Sequence, residues 1–257
     1  MLTDDQKEEI KSIVIRSLNK AEEHWEKGGH QLAVDYAALS EAALHKAESE
    51  PSKIPGHPNV QDTDTVIDEF IALVADMRDS SRHLMCAISE KTSKVTGLQR
   101  VYYETSALLP AIAQTIKYKD GSVTEYLGDG VLALFKVDSI KKSKTIYSSY
   151  FAAKNIIGDT REIVNQELYK RYTLPAINLG VGLSSSKALV SLVGLEGEKH
   201  PKAIGQCVFR ATKLSGGNNE VITDELLRKM WPTSDGGALK FKEKNMGSVR
   251  GFLIDNN

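Results

Sequence analysis

Apolar residues recur at spacings of three and four from Ile10 through Ile13, Val14, Leu18, Ala21 and Trp25, in a stretch rich in Ala, Glu, Lys and Leu. That periodicity predicts an amphipathic helix. Gly28 and Gly29 interrupt it, and Leu32, Tyr36, Leu39, Ala43 and Ala47 resume it, so residues 4–49 are expected to form a helical hairpin. Pro51, Pro55, Gly56 and Pro58 then predict a linker. The chain thus divides into an N-terminal hairpin and linker, residues 1–58, and a larger domain, residues 59–257. Packing or oligomerisation is the plain expectation for the hairpin, whose His24, His30 and His45 read as solvated.

From Val66 the pattern alternates between short apolar runs and helical spacing. It predicts a strand ending near Ala75, helical stretches over 79–94 and 99–117, a β-hairpin over 122–135 and a helix near 141–168. Paired strands 176–184 and 188–193 follow, then a helical stretch near 207–214. Glu220 to Glu225 reads as a short strand entering a helix with Thr223 as N-cap. Strands near 239–243 and 248–254 close the domain. The order β-α-α-β-β-α-β-β implies an α+β domain with a ferredoxin-like, mostly antiparallel sheet.

Two strand ends carry candidate chemistry. In the run Val123 to Phe135, two apolar strands meet at Gly128-Asp129-Gly130, with one carboxylate at the tip. In Phe70 to Ser81 an apolar strand ends at Asp76, and polar, helix-starting residues follow. Two strand-end carboxylates suit a Mg²⁺ or Mn²⁺ site for phosphoryl chemistry, because hard cations prefer oxygen ligands. Taken alone, each aspartate also reads as a turn cap.

Composition narrows the classes. Lys+Arg of 33 against Asp+Glu of 34 gives a formal net charge of −1, which lacks the basic footprint of a sequence-independent nucleic-acid binder. A hydrophobic share of 41% is enough for a folded core. The longest apolar runs fall far short of the ~20 residues that cross a bilayer, so no membrane association is expected. Cys86 and Cys207 lie in apolar surroundings and no secretory leader is read, which makes the cytoplasm the expected location. His83 and His200 lie near the candidate segments, without the His/Cys spacing of a zinc site.

Together the blocks resemble the catalytic domain of class III nucleotidyl cyclases over roughly residues 66–255. Val74 to Ser81 resembles the first metal motif of that family, and Tyr126 to Phe135 its second metal hairpin. Asn178 to Gly194 resembles its central glycine-bearing hairpin, and Ala203 to Leu214 its glycine-then-helix segment. The resemblance implies two Mn²⁺ or Mg²⁺ ions bridged by Asp76 and Asp129, with the Met77 carbonyl as a further ligand. It implies a nucleoside triphosphate whose phosphates meet Arg78, Ser80 and Ser81 at the helix start. It also implies a homodimer with composite active sites, in which Lys213 stands for the transition-state arginine and Lys244 for the triphosphate lysine. Both also read as ordinary surface charges. Lys213 lacks the fork of an arginine, for which Arg210 is a candidate substitute. Phe209 replaces the asparagine that orients the ribose; it reads equally as a stacking residue or a core residue.

The positions that read the base are Glu125 and Lys202. They match neither the adenine nor the guanine pattern of the family. Glutamate accepts from an imide N–H and lysine donates to a carbonyl, an edge that uracil and guanine both present. A plain ion pair is the alternative. This pair, Tyr126 beside it and the missing asparagine resemble the bacterial pyrimidine cyclases of Pycsar antiphage defence. That resemblance implies conversion of UTP to 3′,5′-cyclic UMP and pyrophosphate, with the product acting on a separate effector. Guanylate or cytidylate cyclase activity, and a non-catalytic nucleotide-binding or dimerisation module, remain the alternatives.

Overall fold

The structure, a computed structural model, describes residues 1–27, 49–61, 66–85, 92–233 and 238–256. Helix α1, Asp4–Lys27, confirms the first arm of the expected N-terminal hairpin. The second arm, with His30 and His45, lies outside the described residues, as does Cys86. The stretch Pro51 to Pro58, expected to be a linker, connects two short strands that pair as an antiparallel ribbon, β1, Ser49–Pro51, and β2, Asn59–Gln61. Ile54 and Val60 are buried, so this segment has an apolar face that its prolines and glycine disguise.

The elements continue as β3, Val66–Met77; α2, Ser80–Met85; α3, Gly97–Lys117; β4, Ser122–Tyr126; and β5, Gly130–Lys136. Helix α4, Lys142–Asn155, runs through a π-turn at Ile156–Thr160 into α5, Arg161–Tyr172. Then come β6, Leu179–Val193; β7, His200–Gly205; α6, Gln206–Leu214; β8, Glu220–Asp224; α7, Glu225–Met230; β9, Leu239–Glu243; and β10, Gly251–Asn256. Among the described residues the main sheet has eight strands in the order β4-β5-β3-β6-β8-β10-β9, with β7 also on β6. Among the described strands only the β6–β8 pairing is parallel. The α+β, mostly antiparallel architecture expected from the sequence is therefore present.

Two sequence expectations are corrected. The paired strands expected over 176–193 are one continuous strand, β6, which pairs with β3 from Leu179↔Met77 to Val190↔Val66. No Gly, Pro, Asn or Asp interrupts Leu183 to Val193, and the three serines that look like a break are each hydrogen-bonded to a distant part of the chain. Ser184 Oγ donates to Asp224, Ser185 Oγ to the Phe70 carbonyl, and Ser186 Oγ accepts the Cys207 amide. The N-cap of α7 is Asp224 rather than Thr223: its carboxylate accepts the Leu227 amide at 2.9 Å. Thr223 belongs to the strand.

Both faces of the sheet are covered, which explains the unbroken apolar runs of β3 and β5. Ile71, Leu73 and Ala75 enter a core shared with α1, α3, α4 and α5, including Ile10, Val14 and Leu18 of α1. The alternate residues Phe70, Ala72 and Val74 face a second core with Ile54, Val60, Cys207 and Ala211. The second face thus carries α6 and the ribbon. Gly180 and Gly182 bring α6 and the turn behind it close to β6: a Cβ on Gly180 would stand 1.9 Å from the Ser215 carbonyl, and one on Gly182 2.0 Å from that of Ala211.

Candidate active site

Asp76 occupies the penultimate position of β3, opposite Gly130 of β5 and Gly180 of β6. Its neighbour Met77 donates its amide to the Asp129 carbonyl at 3.4 Å, tying the end of β3 to the β4–β5 turn. The turn closes with Leu127 N–H donating to the Gly130 carbonyl at 2.9 Å, and Gly128 supplies the left-handed backbone. A Cβ on Gly130 would meet the Ala75 carbonyl at 2.5 Å and Asp76 Oδ1 at 3.1 Å, so the two strand ends adjoin without a side chain between them. Asp76 and Asp129, far apart in sequence, are brought to one place, and both are half-buried.

The Asp76 carboxylate already holds a cation. Arg78 places its guanidinium on Asp76 Oδ2, yet its Nε is buried without a hydrogen-bond partner, so the guanidinium is only partly satisfied there. Among the described residues no group of three or more His, Cys, Asp or Glu side chains is placed to hold a metal ion. The carboxylates of Asp76 and Asp129 are oxygen donors alone, and the Met77 backbone lies against Asp129. That fits Mg²⁺ or Mn²⁺, which keep waters and take phosphate oxygens for the remainder.

Ser80 and Ser81 open the short helix α2 beside this site. The amides of Met77 and Arg78 are engaged, the second with the Asn178 carbonyl at 2.8 Å, and are therefore committed to the fold. Helix α2 is pinned from behind by a cluster that sequence reading missed. His83 Nδ1 lies 2.8 Å from the buried carboxylate of Glu104, which also accepts Arg100 Nε at 2.8 Å. The i,i+4 spacing of Arg100 and Glu104 was the available signal.

The base-reading candidates meet: Lys202 Nζ lies 2.6 Å from Glu125 Oε2. Register alone would not join them. Glu125 pairs with Leu132, itself opposite Val74, whereas Lys202 pairs with Ser191, beyond the start of β3. The contact requires the β6–β7 arm to curl back over the second face of the sheet, where its Ala188, Val190 and Leu192 pack with Ile54 and Val60. Beside the pair lies a cavity of about 410 Å³ bounded by Thr124, Glu125, Tyr126, Lys202 and residues 51–54 of the ribbon.

The remaining candidates lie on α6 and just after β9. Phe209 on α6 is 60% exposed, which removes the core reading, and the Lys213 ammonium lies 5.7 Å from its ring centroid. Arg210 donates to the buried carboxylate of Asp224 at 3.3 Å, a contact that anchors α6 to the N-terminus of α7. Lys244 donates to both oxygens of Glu220, at 2.6 and 2.7 Å. Glu220 pairs with Gly180, which pairs with Asp76, so Lys244 sits at the same end of the sheet as the aspartates.

No protein-family model matches the chain, and no curated protein matches it significantly. Solved structures do. The adenylyl cyclase CyaB from P. aeruginosa is 13% identical, with a TM-score of 0.60 over 76% of this chain and 97% of that one. The guanylyl cyclase Cya2 is 14% identical, with a TM-score of 0.58 over 74% of this chain and 93% of that one. The guanylate cyclase domain of RhGC from Catenaria anguillulae, solved in complex with GTP, is 13% identical, with a TM-score of 0.53 over 76% and 100%. The chain carries the nucleotide cyclase fold. No described helix is long and apolar enough to cross a membrane.

Proposed function

We propose that the protein is a nucleotidyl cyclase that converts UTP into 3′,5′-cyclic UMP and pyrophosphate. The observation that supports this reading is the pairing of Asp76 with Gly130, which brings the backbone of Asp76 beside the turn that carries Asp129. Solved proteins of the same fold are adenylyl and guanylyl cyclases, one of them holding GTP. Asp76 and Asp129 would hold divalent ions, whose positive charge would stabilise the ribose 3′-oxygen and the leaving phosphates. The 3′-oxygen attacks the α-phosphorus, its proton passes to solvent, and the bond from that phosphorus to the bridging oxygen breaks to release pyrophosphate.

In this reading Arg78 moves from Asp76 to the polyphosphate, and Ser80 and Ser81 orient phosphate oxygens. Glu125 accepts from the base N3–H and Lys202 donates to O4, so their mutual contact opens when the base enters. Lys213 and Lys244 meet the phosphates bound to the partner subunit's aspartates. Tyr126 at 53% exposure, Ile204 at 55% and Phe209 at 60% place apolar surface on the hairpin tip, β7 and α6, a surface suited to a second copy of the chain. The cyclic nucleotide then serves as a messenger for a separate effector in antiphage defence.

A second reading, a nucleotide-binding module without turnover, is favoured by one observation: Arg210 and Lys244 are both held by carboxylates of their own chain. Incubation with Mn²⁺ and each of ATP, GTP, CTP and UTP, with products identified by mass spectrometry, separates the readings. Cyclic UMP from UTP is expected. Cyclic GMP alone would replace the base assignment, and binding without any cyclic product would establish the module.

A further inference from the structure

The cavity beside Glu125 and Lys202 has a wall that no strand of the sheet provides. The ribbon segment Pro51–Ile54 supplies it, and with it the side chain of Lys53. The ribbon is fixed in this position by three observations. Ile54 and Val60 are buried in the second core. His57 Nε2 lies 2.7 Å from Asp68 Oδ2, which also accepts Lys136 Nζ at 2.7 Å. Ser52 Oγ accepts the Ile54 amide at 3.0 Å, which sets the turn that carries Lys53.

Lys53 itself is exposed, and it makes no recorded hydrogen bond or ion pair among the described residues. The cavity lining therefore presents a lysine bonded to a carboxylate, Lys202 and Glu125, plus a second lysine without a carboxylate of its own. Lys202, Lys53 and Glu125 are its two lysines and its one carboxylate, and Ser52, Thr124, Tyr126 and His200 complete its polar lining.

We infer that Lys53 is a third base-reading residue, which selects uracil over guanine by donating to the uracil O2. This rests on the cyclase reading above. Along its pairing edge uracil presents O4, N3–H and O2, in the order acceptor, donor, acceptor. Lys202, Glu125 and Lys53 answer it as donor, acceptor, donor. Guanine presents O6 and N1–H identically, but its third group is the N2 amine, a donor. An ammonium facing that amine has no hydrogen bond to make and leaves two donors opposed, a loss that falls on guanine alone. Glu125 and Lys202 cannot separate the two bases; Lys53 can.

The test compares kcat/KM for UTP and GTP in the wild type, Lys53→Ala and Lys53→Glu, all at one Mn²⁺ concentration. Lys53 is exposed, so both variants are expected to fold, and circular dichroism checks this. The wild type is expected to prefer UTP, and Lys53→Ala to lower the UTP/GTP ratio about tenfold, the effect of one lost hydrogen bond. Lys53→Glu is expected to lower it further, with an absolute gain on GTP, because its carboxylate accepts from N2. Equal effects on both nucleotides would show a lysine that only attracts polyphosphate, and would overturn the inference, as would unchanged ratios or a wild type that prefers GTP. A wild type that converts neither nucleotide fails the cyclase reading itself, and the inference falls with it.

Discussion

The guanidinium of Arg78 rests on the carboxylate of Asp76, two residues before it, at the strand end proposed to bind a divalent ion. The two cations compete for one carboxylate. Replacement of Arg78 by Ala should therefore lower the Mn²⁺ concentration for half-saturation by roughly fivefold in the absence of nucleotide, the equivalent of about 1 kcal/mol for a partly exposed pair. Electron paramagnetic resonance of free Mn²⁺ measures this directly. Weaker Mn²⁺ binding in the variant would mean that Arg78 organises Asp76 for the ion instead of competing with it.

Gly180 lies under the turn that follows α6, where an added Cβ meets the Ser215 carbonyl at 1.9 Å and the Gly217 carbonyl at 2.4 Å. Both obstacles are backbone, so the strand and the α6 turn must separate. Gly180→Ala should destabilise the fold by about 3 kcal/mol, the upper range for overpacking. Urea denaturation followed by circular dichroism reads this as a lower midpoint.

Leu18 is fully buried where α1 meets the helices of the first core. Leu18→Ala should cost about 3 kcal/mol, combining lost transfer free energy with a residual cavity. The loss is expected in one cooperative transition shared by α1 and the sheet. A separate early transition confined to α1 would mean that the N-terminal helix folds independently of the rest.

Tyr118 donates to the Glu9 carboxylate at 2.6 Å, joining the end of α3 to α1. Burial, with that carboxylate second, pushes the phenol from 10.0 up to about 12. Tyr172, bonded to Glu22 of α1, is raised for the same two reasons in the same order. Because the folded-state values exceed the unfolded ones, these contacts contribute fully below pH 10.0, and the Tyr118 share is lost as pH rises toward about 12. The wild type should therefore lose stability across that alkaline window, and the double variant Tyr118→Phe, Tyr172→Phe should show a flatter decline. Thermal melts between pH 9 and pH 12 make the comparison.

The β4–β5 hairpin and its Asp129 tip were legible because two apolar runs flank a glycine-bounded turn, a local signal. Asp76 was legible because the run Phe70 to Ala75 of β3 is apolar on both faces and ends at that residue. Strand β6 was misread because Ser184, Ser185 and Ser186 look like a turn, and their partners Asp224, Phe70 and Cys207 are distant in sequence. The ribbon was hidden by Pro51, Pro55 and Pro58, which mark a break locally, while Ile54 and Val60 acquire their meaning only against the second face of the sheet. The commitments of Arg210 to Asp224 and of Lys244 to Glu220 depend likewise on strand order rather than spacing. Pairing of Glu125 with Lys202 was weighed in the sequence as an alternative to base reading; the curled β6–β7 arm that makes it geometrically possible left no local trace.

The central claim is that Asp76 and Asp129 serve a cyclisation that breaks the bond between the α- and β-phosphates. Phosphorus NMR of UTP incubated with Mg²⁺ and the wild-type protein, with Asp129→Asn in parallel, follows that bond directly. The account predicts a cyclic phosphodiester and free pyrophosphate appearing in equal amounts, and neither with Asp129→Asn. Inorganic phosphate without pyrophosphate, or equal product from the variant, would contradict it.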